Sequence, residues 1–367
     1  MNGPRYTTLI KSLPDSVPFV SPDTQERLRG SPYGARLGAN ENGFGPSPKA
    51  IAAMTAAATG AWMYGDELSF ELRTALAEKH AVTVDNIIVG EGIDGLLGNL
   101  VRLLVGPEVD VVTSNGAYPT FNYHVNSFGG RLHSVPYKND FEDLEGLAAM
   151  ARKTNAALVY LANPDNPMAS WHSGEAVKAF LDQLPENCLL CLDEAYVEFA
   201  PQGTAPDIDV NDPRLIRFRT FSKAYGLAGI RVAYGIAAGD LIGAFNKIRN
   251  HFGVNRLGQA GALAALKDQP WLELTLEKVA AAKTRIAEIA RQNGLTPLPS
   301  GANFVAIDTG RDADFARAIV TACDDQHVFI RMPFAAPQNR CLRVSAGPPE
   351  EIELFGKALA SALAKVK

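Results

Sequence analysis

The run Thr220-Phe-Ser222-Lys223-Ala-Tyr-Gly-Leu-Ala-Gly-Ile-Arg231 gathers two aliphatic hydroxyls, a lysine, two glycines and an arginine at the end of an apolar stretch. An amine that forms an imine must first lose its proton, which desolvation or nearby cations promote. Hydroxyls and a guanidinium fork around it are the donors that a phosphate monoester takes. A lone lysine on a turn is usually just solvated, but the residues around Lys223 are apolar or small rather than charged. The run Leu189-Leu-Cys-Leu-Asp193-Glu-Ala-Tyr196 brings a carboxylate out of an apolar strand. Such a group is costly to ionise unless a cation, such as a protonated ring nitrogen, meets it. Asp is also a favoured helix cap, and on this segment alone the two readings stand level. Asn163-Pro-Asp-Asn166-Pro-Met168 follows another apolar run, so its turn can present Asn166 rigidly, although bare turn chemistry explains it as well. In Gly90-Glu91-Gly92-Ile-Asp-Gly95 the glycines bare backbone N–H groups between a strand and a helix, an anion site.

Positioning these segments requires strands that end at a common edge. Short apolar runs at Asn86–Val89, Val109–Thr113, Ala157–Ala162, Cys188–Leu192 and Leu215–Thr220 alternate with helical patterns. That alternation predicts an α/β unit with a mostly parallel sheet, whose ligands collect at the carboxyl ends of its strands. Residues 1–48, rich in Pro and Gly, read as an arm joining the smaller unit, with the first long helix near Lys49–Thr59. Residues 49–255 form the large unit on this reading. Residues 256–367 form a smaller α+β domain, with a helix over Leu272–Gln292, strands at Phe304–Ile307, Val328–Arg331 and Leu342–Val344, and helices at Asp312–Cys323 and Glu350–Val366.

With 367 residues, 47% hydrophobic and 20% charged, the chain reads as an ordinary globular protein of two domains. A net charge of -5 gives no reason to expect nucleic-acid or acidic-membrane partners. The segment from Met1 to Phe19 lacks an apolar core of the secretory kind, no run approaches the roughly eighteen apolar residues of a membrane span, and four cysteines make no disulfide framework. A cytoplasmic protein is the expectation. Gly90-x-Gly92-x-x-Gly95 formally matches a dinucleotide fingerprint, but Asp110 comes ahead of the strand residues Val111-Val112-Thr113 instead of at their carboxyl end. Cys188 and Cys191 lie within one strand, three apart and so facing opposite ways, and the six histidines show no ligand spacing; no metal is expected.

Taken together and in order, these segments resemble the histidinol-phosphate aminotransferase family of fold-type-I aminotransferases. Ala39-Asn-Glu-Asn42, Ala117-Tyr-Pro-Thr-Phe121, Arg331 and Cys341-Leu-Arg343 extend the likeness over nearly the whole chain. The resemblance implies a large domain with a seven-stranded, mostly parallel sheet, pyridoxal 5'-phosphate held as an imine on Lys223, and transamination with 2-oxoglutarate. It implies that Lys223 shuttles the substrate proton and that Asp193 keeps the ring nitrogen protonated. Asn166 and Tyr196 would hydrogen-bond the phenolic oxygen, and Phe121 would stack on the ring. Backbone at Glu91 and Gly92, Thr220, Ser222 and Arg231 would hold the phosphate. Tyr64 would reach the phosphate across a homodimer, and Arg343, with Arg331 and Asn42, would receive the substrate. Three departures stand out: Met168-Ala169 where Thr-Gly is usual, Gly92 where the phosphate turn has an acid, and Phe19 for a tyrosine. The donor expected is histidinol phosphate. The rivals are an aromatic amino-acid aminotransferase, a decarboxylase, a nicotinamide oxidoreductase and a non-enzymatic binding protein.

Overall fold

The computed structural model describes residues 3–15 and 19–366. Residues 1, 2 and 16–18 of the expected arm, and Lys367, lie outside them. In chain order the strands are β1 (Ala35–Arg36), β2 (Ile87–Gly90), β3 (Asp110–Ser114), β4 (Arg131–Val135), β5 (Leu158–Ala162), β6 (Leu189–Asp193), β7 (Leu215–Thr220), β8 (Ala233–Ala237), β9 (Thr296–Pro297), β10 (Phe304–Asp308), β11 (Val328–Phe329) and β12 (Cys341–Ser345).

Seven of these form one sheet in the order β2-β8-β7-β6-β5-β3-β4. The pairs from β7 across to β4 are parallel, and only β8 runs against its neighbours β7 and β2. The expected mostly parallel seven-stranded sheet is therefore present. β5 and β6 are buried at every residue, as strands covered on both faces by helices must be. One face buries Leu96, Leu100 and Val101 of helix Gly92–Leu104 against Tyr160 and Phe218. The opposite face carries Leu147, Val177 and Phe180 over Val159 and Leu190. Two strands escape the apolar-run reading. β4 is a half-exposed edge, and β8 (Ala-Tyr-Gly-Ile-Ala) is mostly small residues directly behind the lysine segment.

Because Thr220 pairs with Ala233, the lysine segment is the connection between two adjacent antiparallel strands. β2, β3, β5, β6 and β7 run in one direction, so the segments that follow them emerge at the same edge of the sheet.

A second sheet, β12-β10-β9, is antiparallel and lies in the C-terminal part with helices Gln269–Gln292, Ala313–Asp324 and Pro349–Lys365. β1 of the N-terminal arm pairs with β11, and Ala35 and Leu37 join the core of that part beside Ile286, Ile319, Val344 and Phe355. The strand expected over Val328–Arg331 stops at Phe329, and Arg331 instead forms an isolated antiparallel bridge with Arg343. Helix Arg256–Lys267 places Ala262 and Ala265 in a core shared with Leu72, Leu76 and Tyr234. Among the described residues no helix is long and apolar enough to cross a membrane, and no group of three or more His, Cys, Asp or Glu residues is placed to hold a metal ion.

Candidate active site

Asp193 closes β6 and is buried at 5% exposure. Its carboxylate accepts from the Tyr160 hydroxyl at 2.7 Å and from the Ala195 N–H at 3.0 Å. Burial pushes the acid up to about 6, against the pull of those two donors. Neither donor is a cation, so a charge on this buried carboxylate is met by hydrogen bonds from neutral groups.

Lys223 follows β7 on the neighbouring connection. Its Nζ donates to the Asn40 carbonyl at 3.0 Å and lies 5.7 Å from the centre of the Tyr196 ring. Burial, then the Arg343 guanidinium, pushes the amine down to about 8. A sizeable neutral fraction near pH 7 follows, as a nucleophilic amine needs. Burial raises Tyr196 to about 12, so its proton stays on, and its oxygen accepts from the Asn40 amide at 3.0 Å.

Arg343 lies across from Arg331. The two exchange backbone hydrogen bonds, Arg331 N to Arg343 O at 3.2 Å and Arg343 N to Arg331 O at 2.6 Å. A hydrogen-bonded antiparallel pair projects both side chains from one face of the ribbon. Burial, then Arg343, lowers Arg331 to about 10. Arg343 donates to Asn166 Oδ1 at 2.6 Å and to the Gly38 carbonyl at 3.2 Å, while its Nε is buried without a partner. Arg331 donates to the Val20 carbonyl and stacks over Phe19 at 4.1 Å.

The turn after β2 opens helix Gly92–Leu104. Gly92 has φ +77, and a Cβ there would stand 2.2 Å from Arg231 Nη2, so backbone and guanidinium form one tight cradle. Ser222 Oγ lies 3.5 Å from Arg231 Nη1, and the Thr220 hydroxyl accepts from Ser222 N at 3.0 Å. An acid does stand near this turn, because Asp94, two residues after Gly92, accepts from Tyr118 at 2.8 Å and lies 3.8 Å from Arg231.

The fold thus brings together Lys223, Asp193, Tyr196, Asn166, Arg343, Arg331, Gly92, Thr220, Ser222 and Arg231. Asn42 reaches the site through its amide, which donates to the carbonyls of Lys223 and Ala224. Glu91 turns its side chain away onto Gly253, leaving only its backbone to the cradle. Tyr64 stands apart at 78% exposure, its ring against Phe252.

Phe121, the aromatic expected to stack on the ring, lies against the sheet. It has no exposed surface and lies nearly parallel to the Tyr160 ring at 4.6 Å. It shares the buried face of helix Pro119–Ser127 with Val125, four residues on. Tyr118, just ahead of that helix and only partly buried, is the aromatic at the strand edge, and its hydroxyl is raised by burial and the Asp94 charge. Tyr118, Asn40, Asp94 and Tyr160 were not singled out from sequence. Asn40 and Tyr118 lie inside segments that were, whereas Tyr160 shows only once β5 is laid beside β6.

Residues 34–359 match the family model of aminotransferase class I and II. A protein of Ralstonia nicotianae named histidinol-phosphate aminotransferase 2 is 36% identical over 100% of this chain and 98% of its own length. One of Moorella thermoacetica named histidinol-phosphate aminotransferase is 32% identical over 98% of this chain and 94% of its own. A crystal structure of histidinol-phosphate aminotransferase from Sinorhizobium meliloti in complex with pyridoxal-5'-phosphate is 51% identical, with a TM-score of 0.96 and coverage of 100% of this chain and 99% of that one. Likeness of sequence from arm to last helix, and of backbone throughout, accompanies the reactive groups gathered at the sheet edge: the chain belongs to the class I and II aminotransferases.

Proposed function

We propose that this aminotransferase uses pyridoxal 5'-phosphate to move an amino group between histidinol phosphate and 2-oxoglutarate. The observation that carries the reading is the Lys223 amine, lowered to about 8 and facing Tyr196, with Arg343 and Arg231 near enough to repel its charge. The residues present fit the cofactor. Asp193 awaits a cation, the Gly92–Arg231 cradle with Thr220 and Ser222 suits a phosphate, and Tyr196 keeps a proton to donate to a phenolic oxygen. When bound, the cofactor supplies the electron sink that stabilises negative charge at the substrate carbon.

The chain's own residues do the rest. The Lys223 amine would hold the cofactor at its aldehyde carbon, with loss of water, and once freed would carry the proton at the substrate carbon. The Asp193 carboxylate holds a proton on the ring nitrogen facing it, and Tyr118 takes the stacking place in preference to Phe121. Asn166 acts through its contact with Arg343. Two guanidiniums projecting from one ribbon face repel each other, and a doubly charged phosphate monoester relieves that repulsion better than a single carboxylate. That favours a phosphate-bearing donor, in keeping with the names of the similar proteins.

The same reading divides the chain into an arm over 1–48, a cofactor-binding unit over 49–255 and an α+β unit over 256–367, whose first helix, Arg256–Lys267, packs into the core of the cofactor-binding unit. It makes the enzyme a homodimer in which Tyr64, exposed beside Trp62 and Phe252, reaches the partner's phosphate site. Four free, buried cysteines fit a reducing cytoplasm.

Borohydride treatment of the purified enzyme should bleach its visible absorption band and leave a pyridoxyl mass on the Lys223 peptide; the adduct on another lysine would end the reading. A panel of donors at fixed 2-oxoglutarate then tests the substrate. Histidinol phosphate should exceed phenylalanine in kcat/KM by about 100-fold, the value of two charged hydrogen bonds. Parity would reassign the donor.

A further inference from the structure

Asn40 pairs every polar atom it owns. Its N–H donates to Ser345 Oγ at 3.0 Å, and its Oδ1 accepts from that hydroxyl at 3.1 Å. Its carbonyl accepts from Lys223 Nζ at 3.0 Å and from the Asn303 amide at 3.2 Å, and its own amide donates to the Tyr196 oxygen at 3.0 Å. The residue is 2% exposed and held at φ +53, a left-handed conformation that persists in a side-chain-bearing residue only where its surroundings over-determine it. The surroundings come from three places: Ser345 on β12, Asn303 just ahead of β10, and Tyr196 after β6.

The neighbouring arm residues continue the pattern at alternate positions. The Gly38 carbonyl accepts from Arg343, and the Asn42 amide caps the carbonyls of Lys223 and Ala224. A strap of five residues therefore runs from the arginine that meets the substrate anion to the lysine that does the chemistry.

We propose that Asn40 is a positioning residue: its clamped carbonyl is the resting acceptor for the Lys223 amine, and its amide, by filling a lone pair on the Tyr196 oxygen, turns the tyrosine proton toward the cofactor. The proposal rests on the cofactor reading above. A hydroxyl has one proton to give, and a donor already seated on its oxygen leaves that proton for another acceptor. With Ser345 and Asn303 fixing the turn, the carbonyl stays aimed at Nζ whenever the amine is free, so the amine does not wander among rotamers before each attack.

The first test uses cofactor-free protein. Trinitrobenzenesulfonate modification of Lys223, followed peptide by peptide in a mass spectrometer between pH 6 and 10, reports how well the amine is held. The charges facing it are Arg343 on β12, Arg231 beyond the lysine turn, Glu41 on the strap and Asp94 on helix Gly92–Leu104, and all stay in place. In Asn40→Ala, which disfavours the left-handed turn, Lys223 should react about tenfold faster at pH 6, where its amine is almost wholly protonated, the loss expected for one charged hydrogen bond. Exposed Lys138 serves as the internal standard and should not change. Asn40→Gly keeps turn and carbonyl, so its Lys223 rate should stay within about twofold of wild type.

In the loaded enzyme, both variants should move the pH midpoint of the visible band upward by about one unit, because Tyr196 no longer points its proton at the cofactor. Ser345→Ala loosens the same clamp from β12 and should reproduce the faster labelling if Asn40→Ala proves insoluble. Folded variants with wild-type labelling and an unmoved midpoint would overturn the proposal. A wild-type enzyme without any band would instead sink the cofactor reading, while the labelling result would still stand.

Discussion

Tyr160 shows how much a single buried hydroxyl can decide. Its hydrogen bond favours the charged form of Asp193 and opposes the upward push of burial. Phenylalanine at this position keeps the ring against Phe121 and removes only the donor. A hydrogen bond to a charged group contributes about 1.5–3 kcal/mol, so Tyr160→Phe should raise Asp193 by roughly one to two pH units. Cofactor association needs the ionised carboxylate, and the acid limb of its pH profile should move up accordingly. A limb that stays at the wild-type position would mean that Ala195 N–H alone sets the charge.

The turn between β2 and helix Gly92–Leu104 works as an element, with glycine backbone and a guanidinium sharing one space. An alanine at position 92 would sit in a left-handed conformation costing about 1–2 kcal/mol, with its Cβ 2.2 Å from Arg231 Nη2. Arg231 is exposed, so its side chain should yield before the backbone does. Gly92→Ala should therefore lower the unfolding free energy by about 1–2 kcal/mol and weaken cofactor binding by about tenfold or more, as the displaced fork leaves the phosphate. Calorimetry together with equilibrium titration of cofactor separates the two. A stability loss without an affinity loss would show that Arg231 does not hold the phosphate.

Whole-molecule behaviour rests on two further features. Trp62 and Tyr64, at 83% and 78% exposure, and Phe252 at 50% are large apolar side chains left open to solvent, and the Tyr64 and Phe252 rings are in contact. Sedimentation should show a species of twice the 39.3 kDa chain mass, and Trp62→Asp should shift it toward one chain while weakening cofactor retention through loss of the partner's Tyr64. A wild-type monomer with full cofactor affinity would exclude that arrangement. The second feature is Glu142, fully inside and accepting from Ser114 Oγ and Ala162 N. Burial, then the Asp165 charge, holds it well above the usual carboxyl range. A raised acid adds stability that is complete below its unfolded value and lost as pH rises through the folded one. Glu142→Gln keeps the shape without the titration, so its chemical unfolding midpoint should fall less than the wild type's between pH 5 and pH 9. Parallel curves would show that Glu142 does not titrate there.

Strand ends, and the lysine, aspartate and Arg231 that lie just beyond them, were legible in the order of residues, because apolar runs that break at Gly, Asp or Asn announce where a parallel sheet stops and where polar groups must find partners. The helix after Gly92 and the long helix ending before Asn293-Gly294 were legible for the same local reason. Small-residue β8 and half-exposed β4 were not, since neither carries an apolar run. Only the folded chain decided that Phe121 faces the core while Tyr118 meets Asp94, that Tyr160 steadies Asp193, and that Asn40 meets Lys223. Those facts depend on which strand lies beside which and on the side-chain direction each helix turn imposes. Asn40 and Lys223 are 183 positions apart, and Asn40 and Ser345 are 305 apart. Local sequence fixes what a residue is able to do; contacts at such separations exist only after burial has closed the chain around them.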